Sequence, residues 1–270
     1  MSSKRPSVST WALHPLLGTC AAGRPGDTEA FLMRGTEGEL SLLQVPELLK
    51  EHGIKTMELC HFHLPAIDPA FYQDFRTKMI ENEIELWSLL IDDGDITDLE
   101  HGDRDREWIE GWIDRAKDLG AKCVRVIGGK QPTSPAILEK SIEQLQKLAD
   151  YAEERGVRVL TENWQETLST PAALSLVLDE LRGEVGLCFD FGNWTGPTKY
   201  KDLALISKYA TSCHAKCQYV EGQPDTEDFE KCLQLTQEAG FDGPYTIVHG
   251  EPGRVWETID EQVALLQPYL

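Results

Sequence analysis

The feature that most constrains this chain is a unit that returns eight times. An apolar run rich in β-branched residues ends in polar ones. A loop follows, then an amphipathic stretch, often closed by glycine, leads to the next run. The runs cover 9–14, 56–62, 84–91, 123–127, 157–161, 185–190, 210–214 and 244–249. The stretches between them predict helices near 40–52, 69–82, 108–119, 136–155, 171–182, 200–209, 225–239 and 255–268. A glycine just before a run reads as a left-handed helix C-cap. The first and last runs end at His14 and His249, 235 residues apart (249 − 14), or about 34 per step over seven steps. That is the size of a strand–helix unit. Eight of them make an α/β fold, a single (β/α)8 TIM barrel domain over 1–270, with 1–7 expected as a flexible N-terminus. A doubly wound open sheet is the alternative. No G-x-G-x-x-G or G-x-x-x-x-G-K-[ST] follows a run, so nucleotide and dinucleotide sites lack their motifs.

Charge removes further classes. Lys and Arg total 26 against 46 Asp and Glu, a net charge of −20. Such a surface disfavours nucleic acid and anionic membranes. No stretch approaches the roughly 18 apolar residues of a membrane span, and residues 1–10 have no apolar leader core. A cytoplasmic protein is expected. The seven cysteines (20, 60, 123, 188, 213, 217 and 232) are odd in number and scattered, which fits buried free thiols. Cys213 and Cys217 flank His214 without a second close pair, so they do not read as a zinc site.

In such a barrel, chemistry sits where strands run into the following loops. The polar residues there are Glu58, His61 and His63 in the second unit and Asp92 and Asp93 in the third. Arg125 and Lys130 close the fourth, and Glu162, Asn163 and Trp164 the fifth. The sixth offers Asp190, Asn193 and Trp194, the seventh His214 and Lys216, and the eighth His249 and Glu251. Glu162, Asp190 and His214 close successive runs. Two carboxylates and an imidazole make a cage for one divalent metal ion: Mn2+, Mg2+, Co2+ or Zn2+. Such an ion polarises a carbonyl and its neighbouring hydroxyl and acidifies the C–H between them. Glu58, Arg125, Asn193, Lys216, Trp164 and His249 are the candidates for substrate contact, with Glu58 and Arg125 otherwise an ion pair across the mouth. His61 and His63, two apart on a strand, would share a face. The acidic stretch 92–105 reads as a solvated loop.

These residues carry a resemblance. Glu58, Val124-Arg125-Val126, Glu162-Asn163, Asp190-Phe-Gly-Asn193, His214-Ala-Lys216 and Gly240-Phe-Asp-Gly-Pro-Tyr245 are similar in order and spacing to the xylose isomerase-like TIM-barrel superfamily, the sugar phosphate isomerase/epimerase group. The resemblance covers the chain from about residue 8. It implies a Mn2+-type centre held by Glu162, Asp190 and His214, with a fourth carboxylate from the eighth strand, and an acid/base pair made of the first and last ligands. Two positions depart from the pattern. Asn193 stands where the family usually has histidine. Val248 stands where the fourth ligand belongs, so Glu251, three residues later, is the candidate for both its roles.

The function expected is a divalent-metal-dependent isomerase or epimerase. It would act on a ketose, keto-polyol or related small carbohydrate by proton transfer through an enediolate, with no nucleic-acid or membrane partner and with a homo-oligomer compatible. A dehydratase or lyase on a keto-inositol or 3-keto sugar is the second expectation, since it needs one base. A metal-free degenerate or binding barrel is the third. A phosphodiesterase of the apurinic-endonuclease type would need more histidines and a less acidic surface.

Overall fold

The computed structural model describes residues 3–18, 24–27, 38–65 and 67–270. The barrel strands are β1 (Arg5–Ser9), β2 (Thr56–Cys60), β3 (Glu85–Ile91), β4 (Cys123–Val126), β5 (Arg158–Glu162), β6 (Gly186–Asp190) and β7 (Ala210–His214). A short hairpin of β8 (Tyr219–Val220) and β9 (Gln223–Pro224) precedes the last of them, β10 (Pro244–Ile247). All eight are parallel and close in the order β1-β10-β7-β6-β5-β4-β3-β2. Closure runs through β1 and β10, from Arg5 opposite Pro244 to Val8 opposite Ile247. The expected TIM barrel is the fold. Among the described residues no helix is long and apolar enough to cross a membrane.

The first strand lies earlier than its pattern implied. The run expected over 9–14 is instead preceded by the strand, which contains Pro6. Here β2 pairs only with Val8 and Ser9, so Pro6 has a single ladder neighbour, β10. Residues 5–7, expected to be flexible, are therefore barrel backbone. Trp11 lies in the turn beyond β1, and His14 opens the short helix α1 (His14–Leu17).

The outer helices are α2 (Val45–Glu51), α3 (Pro69–Glu81), α4 (Gly102–Leu119), α5 (Pro135–Glu153), α6 (Pro171–Glu180), α7 (Lys199–Ile206), α8 (Thr226–Glu238) and α9 (Val255–Leu266). Three start with one device. Asp68, Ser134 and Thr170 accept a hydrogen bond from a backbone N–H of the first turn, and proline follows directly. Helix α4 ends at Gly120, whose φ of 83° places it in the left-handed region as expected. This helix begins six residues before the apolar stripe that announces it. The acidic stretch ahead of it is folded rather than solvated. Asp95 accepts from Thr97, from the Lys130 amide and from the Gln131 side chain, and the buried Asp105 accepts from the Asp95 amide.

Alternation divides the strand side chains between two layers. Outward go Val8, Leu59, Leu89, Val124, Val159, Phe189 and Tyr245, which pack on Phe75, Ile113, Leu148, Val177 and Phe229 of the helices. Burial of each such side chain contributes about 1.5–3 kcal/mol. Inward, below the rim, stand Ser7, Glu58, Ser88, Cys123, Leu160, Cys188, Ser212 and Thr246, all buried. This inner wall is small and polar where barrels commonly carry Val, Ile and Leu. The six described cysteines are free and buried; Cys20 lies outside the described residues.

The strand expected over 56–62 stops at Cys60. His61–His63 is a 3-10 turn, so the two histidines do not share a strand face, and both are buried. His63 Nε2 is 2.9 Å from His14 Nδ1, and its Nδ1 is 2.9 Å from the Thr10 hydroxyl. Burial pushes His61 down to about 4; burial and the neighbouring His14 push His63 down to about 3.

Two predictions follow from this packing. A Cβ on Gly243 would lie 2.5 Å from the Thr211 carbonyl oxygen and 2.8 Å from the Phe241 ring. G243A is expected to cost about 2 kcal/mol in chemical denaturation; an unchanged midpoint would contradict this. The second concerns pH. Between about pH 6.5 and about pH 4 the unfolded chain protonates its histidines while folded His61 and His63 stay neutral, so stability falls as pH falls. H63Q removes one such group. Its stability–pH slope in that window should be shallower than wild type by up to about 1.4 kcal/mol per pH unit.

Candidate active site

Each strand brings one residue to a cavity of about 200 Å³ at the carboxyl end of the barrel. Ser9, Cys60, Leu90 and Arg125 come from β1 to β4. Glu162, Asp190 and His214 come from β5 to β7, and Val248 stands just past β10. Trp11, Asp92, Trp164, Asn193 and Lys216 complete the wall from the loops.

The polar groups interlock. His214 Nδ1 lies 3.5 Å from Glu162 Oε1 and 3.6 Å from Asp190 Oδ2. Its Nε2 donates to Glu58 Oε2 at 2.9 Å. Glu58 therefore works from the layer below, fixing the imidazole ring with Nδ1 turned toward the two carboxylates. Burial opposes a charge on His214. Cys188, Glu58, Glu162 and the neighbouring Asp190 carboxylate nevertheless hold its pKa well above 6.5. Asp190 is buried too, and His214, Lys216 and the Gly192 amide keep its carboxyl below the usual range. One Asp190 oxygen accepts from the amides of Gly192 and Asn193, at 2.6 and 2.7 Å. Asn163 pins the Asp190 backbone: its side-chain amide donates to the carbonyl at 3.0 Å and accepts the N–H at 2.8 Å.

Glu162 sits between a donor and a cation. Asn193 Nδ2 donates to Oε1 at 2.7 Å, and Arg125 Nε lies 3.0 Å from Oε2. That geometry makes no hydrogen bond, so Oε2 is a buried carboxylate oxygen without one. Arg125 is an ion-pair partner of Asp92 as well, and its guanidinium lies 5.3 Å over the Trp164 ring. Despite burial, Asp92 and Glu162 drive its pKa further up. The expected pairing of Glu58 with Arg125 across the mouth is absent: Glu58 holds His214, and Arg125 holds Asp92 and Glu162.

Glu251 and His249 are placed differently. They bond to each other, His249 Nε2 to Glu251 Oε1 at 2.8 Å, and His249 stacks on Tyr219 at 5.1 Å. Neither lines the cavity, where Val248 represents this part of the chain. Trp164 lines it and Trp194 does not. Trp11, 48% exposed, packs its edge against Phe62 at the opposite lip. Asp92, named among the polar strand ends, lines the cavity, but its pairing with Arg125 was not legible in the sequence. Nothing in the sequence marks a cysteine as part of the site. Cys188, buried below Asp190, forms with Glu162 and His214 a group whose donor atoms all lie within 4.8 Å of one another.

The likeness to known proteins agrees with this architecture. The sequence profile described as xylose isomerase-like TIM barrel matches residues 46–267. No curated protein matches the chain. Among solved structures, the chain resembles a xylose isomerase-like TIM barrel protein from Mycobacterium smegmatis in complex with magnesium, at 17% identity and a TM-score of 0.70, covering 100% of this chain and 99% of that one. It also resembles a sugar phosphate isomerase/epimerase from Parabacteroides distasonis (13% identity, TM-score 0.70, 100% and 96% covered). A third is the probable 3-DHS dehydratase of petrobactin synthesis from Bacillus anthracis (11%, 0.70, 97% and 98%). At these identities the solved structures show a common fold. With the profile match over most of its length, the chain belongs to the xylose isomerase-like TIM-barrel family.

Proposed function

We propose that the protein is a sugar isomerase. It would shift a proton between adjacent carbons of a small ketose or keto-polyol, with Glu162 as the base. The observation that carries this reading is the asymmetry of the cavity. Glu162 is a buried carboxylate held by Asn193 and Arg125 beside Asp190 and His214, while Val248 stands in the eighth-strand position.

A divalent ion fits the donor set. Glu162, Asp190 and His214 offer two carboxylates and one imidazole nitrogen, and Glu162 Oε2 is buried without a hydrogen bond. Charge agrees with this. Glu58, Asp92, Glu162 and Asp190 outnumber the cations Arg125, Lys216 and the protonated His214, and a divalent ion would take the place of the His214 proton. When bound, such an ion polarises the carbonyl and hydroxyl oxygens of the substrate and acidifies the C–H between them.

The chain's own residues do the rest. Glu162 takes the proton from the carbon bearing the hydroxyl, the C–H electron pair becomes the C=C bond, and the carbonyl π pair moves onto its oxygen to give an enediolate. Asn193 and Arg125 keep the carboxyl group over that bond. Glu162 then returns the proton to the neighbouring carbon from the same face, while a hydroxyl proton passes between the two oxygens. One base suffices for this same-face shift. Inverting a single centre needs a second base on the far face, where Val248 offers none. The cavity of about 200 Å³ suits one monosaccharide, and Trp11 and Trp164 give it aromatic walls.

Val248 equally favours a second reading, dehydration of a keto-polyol. There the same base removes the proton, and the hydroxyl on the next carbon leaves as water by taking up the proton that Glu162 holds. Turnover of a panel of ketoses and keto-inositols in D2O separates the two. Isomerisation gives a product with no loss of water, carrying deuterium at one carbon to the extent that the Glu162 carboxyl exchanges its proton with solvent; dehydration gives a product lighter by one water. E162Q should lose about 10²–10⁴-fold in kcat. Wild-type turnover by E162Q would overturn both readings.

A further inference from the structure

The barrel brings a sulfur to the oxygen and nitrogen donors. Cys188 lies two residues before Asp190 on β6, so both face the interior. It stands in register with Glu162 on the neighbouring strand. Donor atoms of Glu162, Cys188 and His214 lie within 4.8 Å of one another, and all three residues are buried. Cys188 is in no disulfide. Glu162 Oε2 faces Arg125 Nε at 3.0 Å without accepting a hydrogen bond, and the fully buried Glu58 Oε1, in the layer Cys188 occupies, accepts none.

We propose that Cys188 is a ligand of the divalent ion. Its thiolate, below Glu162 and His214, would turn the centre toward Co2+ or Zn2+ and away from Mn2+ and Mg2+. This rests on the reading that Glu162 and His214 hold an ion. Sulfur binds zinc at about 2.3 Å and imidazole nitrogen at about 2.0–2.1 Å, so atoms already within 4.8 Å need only small side-chain shifts to share one ion. Asp190 has one oxygen tied to two amides and can offer the other, 3.6 Å from His214 Nδ1. The set is then one nitrogen, two oxygens and one sulfur. Thiolate selects the softer ions, whereas Mg2+ and Mn2+ prefer oxygen. On binding, the Cys188 S–H proton leaves to solvent and the sulfur–ion bond replaces it, with no change of oxidation state.

The test is Co2+ titration of the full chain followed by absorption, in wild type, C188S and C213S. Cys213 is adjacent to His214 but packs in the outer apolar layer, and serves as the control. Wild type and C213S should show a sulfur-to-cobalt charge-transfer band in the near ultraviolet, and C188S should lack it. Zn2+ affinity of C188S should fall at least about 10-fold, with Mn2+ affinity unchanged. Should C188S fail to fold, X-ray absorption of the Zn2+-loaded wild type gives the answer through a sulfur neighbour at about 2.3 Å. Co2+ bound with ligand-field bands alone, or a charge-transfer band surviving in C188S, overturns the thiolate and leaves the Glu162–Asp190–His214 centre standing. No ion bound at all overturns both.

Discussion

The pairing of β1 with β10 is the contact on which the site depends. Strands β5, β6 and β7 are near neighbours in sequence and in the ladder, but β1 and β10 meet across almost the whole chain. Their closure forces eight strand ends onto one rim. Only then can Glu58, from the second strand, reach across to His214 of the seventh. Open the seam, and the carboxylates that share the imidazole would sit on separate, solvated edges. The loop-closure cost of that contact is offset by the continuous apolar layer outside the strands.

Inside the rim, electrostatics governs the arrangement. Four buried or half-buried acids, Glu58, Asp92, Glu162 and Asp190, gather around Arg125, His214 and Lys216. Carboxylates at this depth are tolerable only when each has a donor or a cation. Arg125 answers two of them, His214 is shared among three, and Asp190 adds two backbone amides. No member can be altered without re-aiming its neighbours. A carboxylate held this way keeps its orientation before substrate arrives, which a reacting base requires.

How much of this was legible in the sequence depends on the range of the interaction. Periodicity and capping are local, so the strand–helix units and the glycine cap at Gly120 could be read directly. The convergence of strand ends followed from the fold, so Glu162, Asp190 and His214 could be nominated together. Pairings set by the third dimension could not. Nothing in the sequence says that Arg125 turns to Asp92 and Glu162 instead of Glu58. Cys188 sits inside an apolar run and looks like core. The first strand was missed because Arg5–Ser9 carries only one large apolar residue, Val8, so the apolar pattern pointed to 9–14 instead. His61 and His63 looked like strand residues because the apolar run continues past the point where the backbone turns.

The small, polar inner wall has a consequence for descent. Folding energy resides in the shell between strands and helices, which leaves the lumen relatively free to drift. Serines, threonines and thiols there can be exchanged by single steps without unmaking the scaffold. A lineage built on this plan can change its chemistry from within, one lumen position at a time, while its exterior stays as it was.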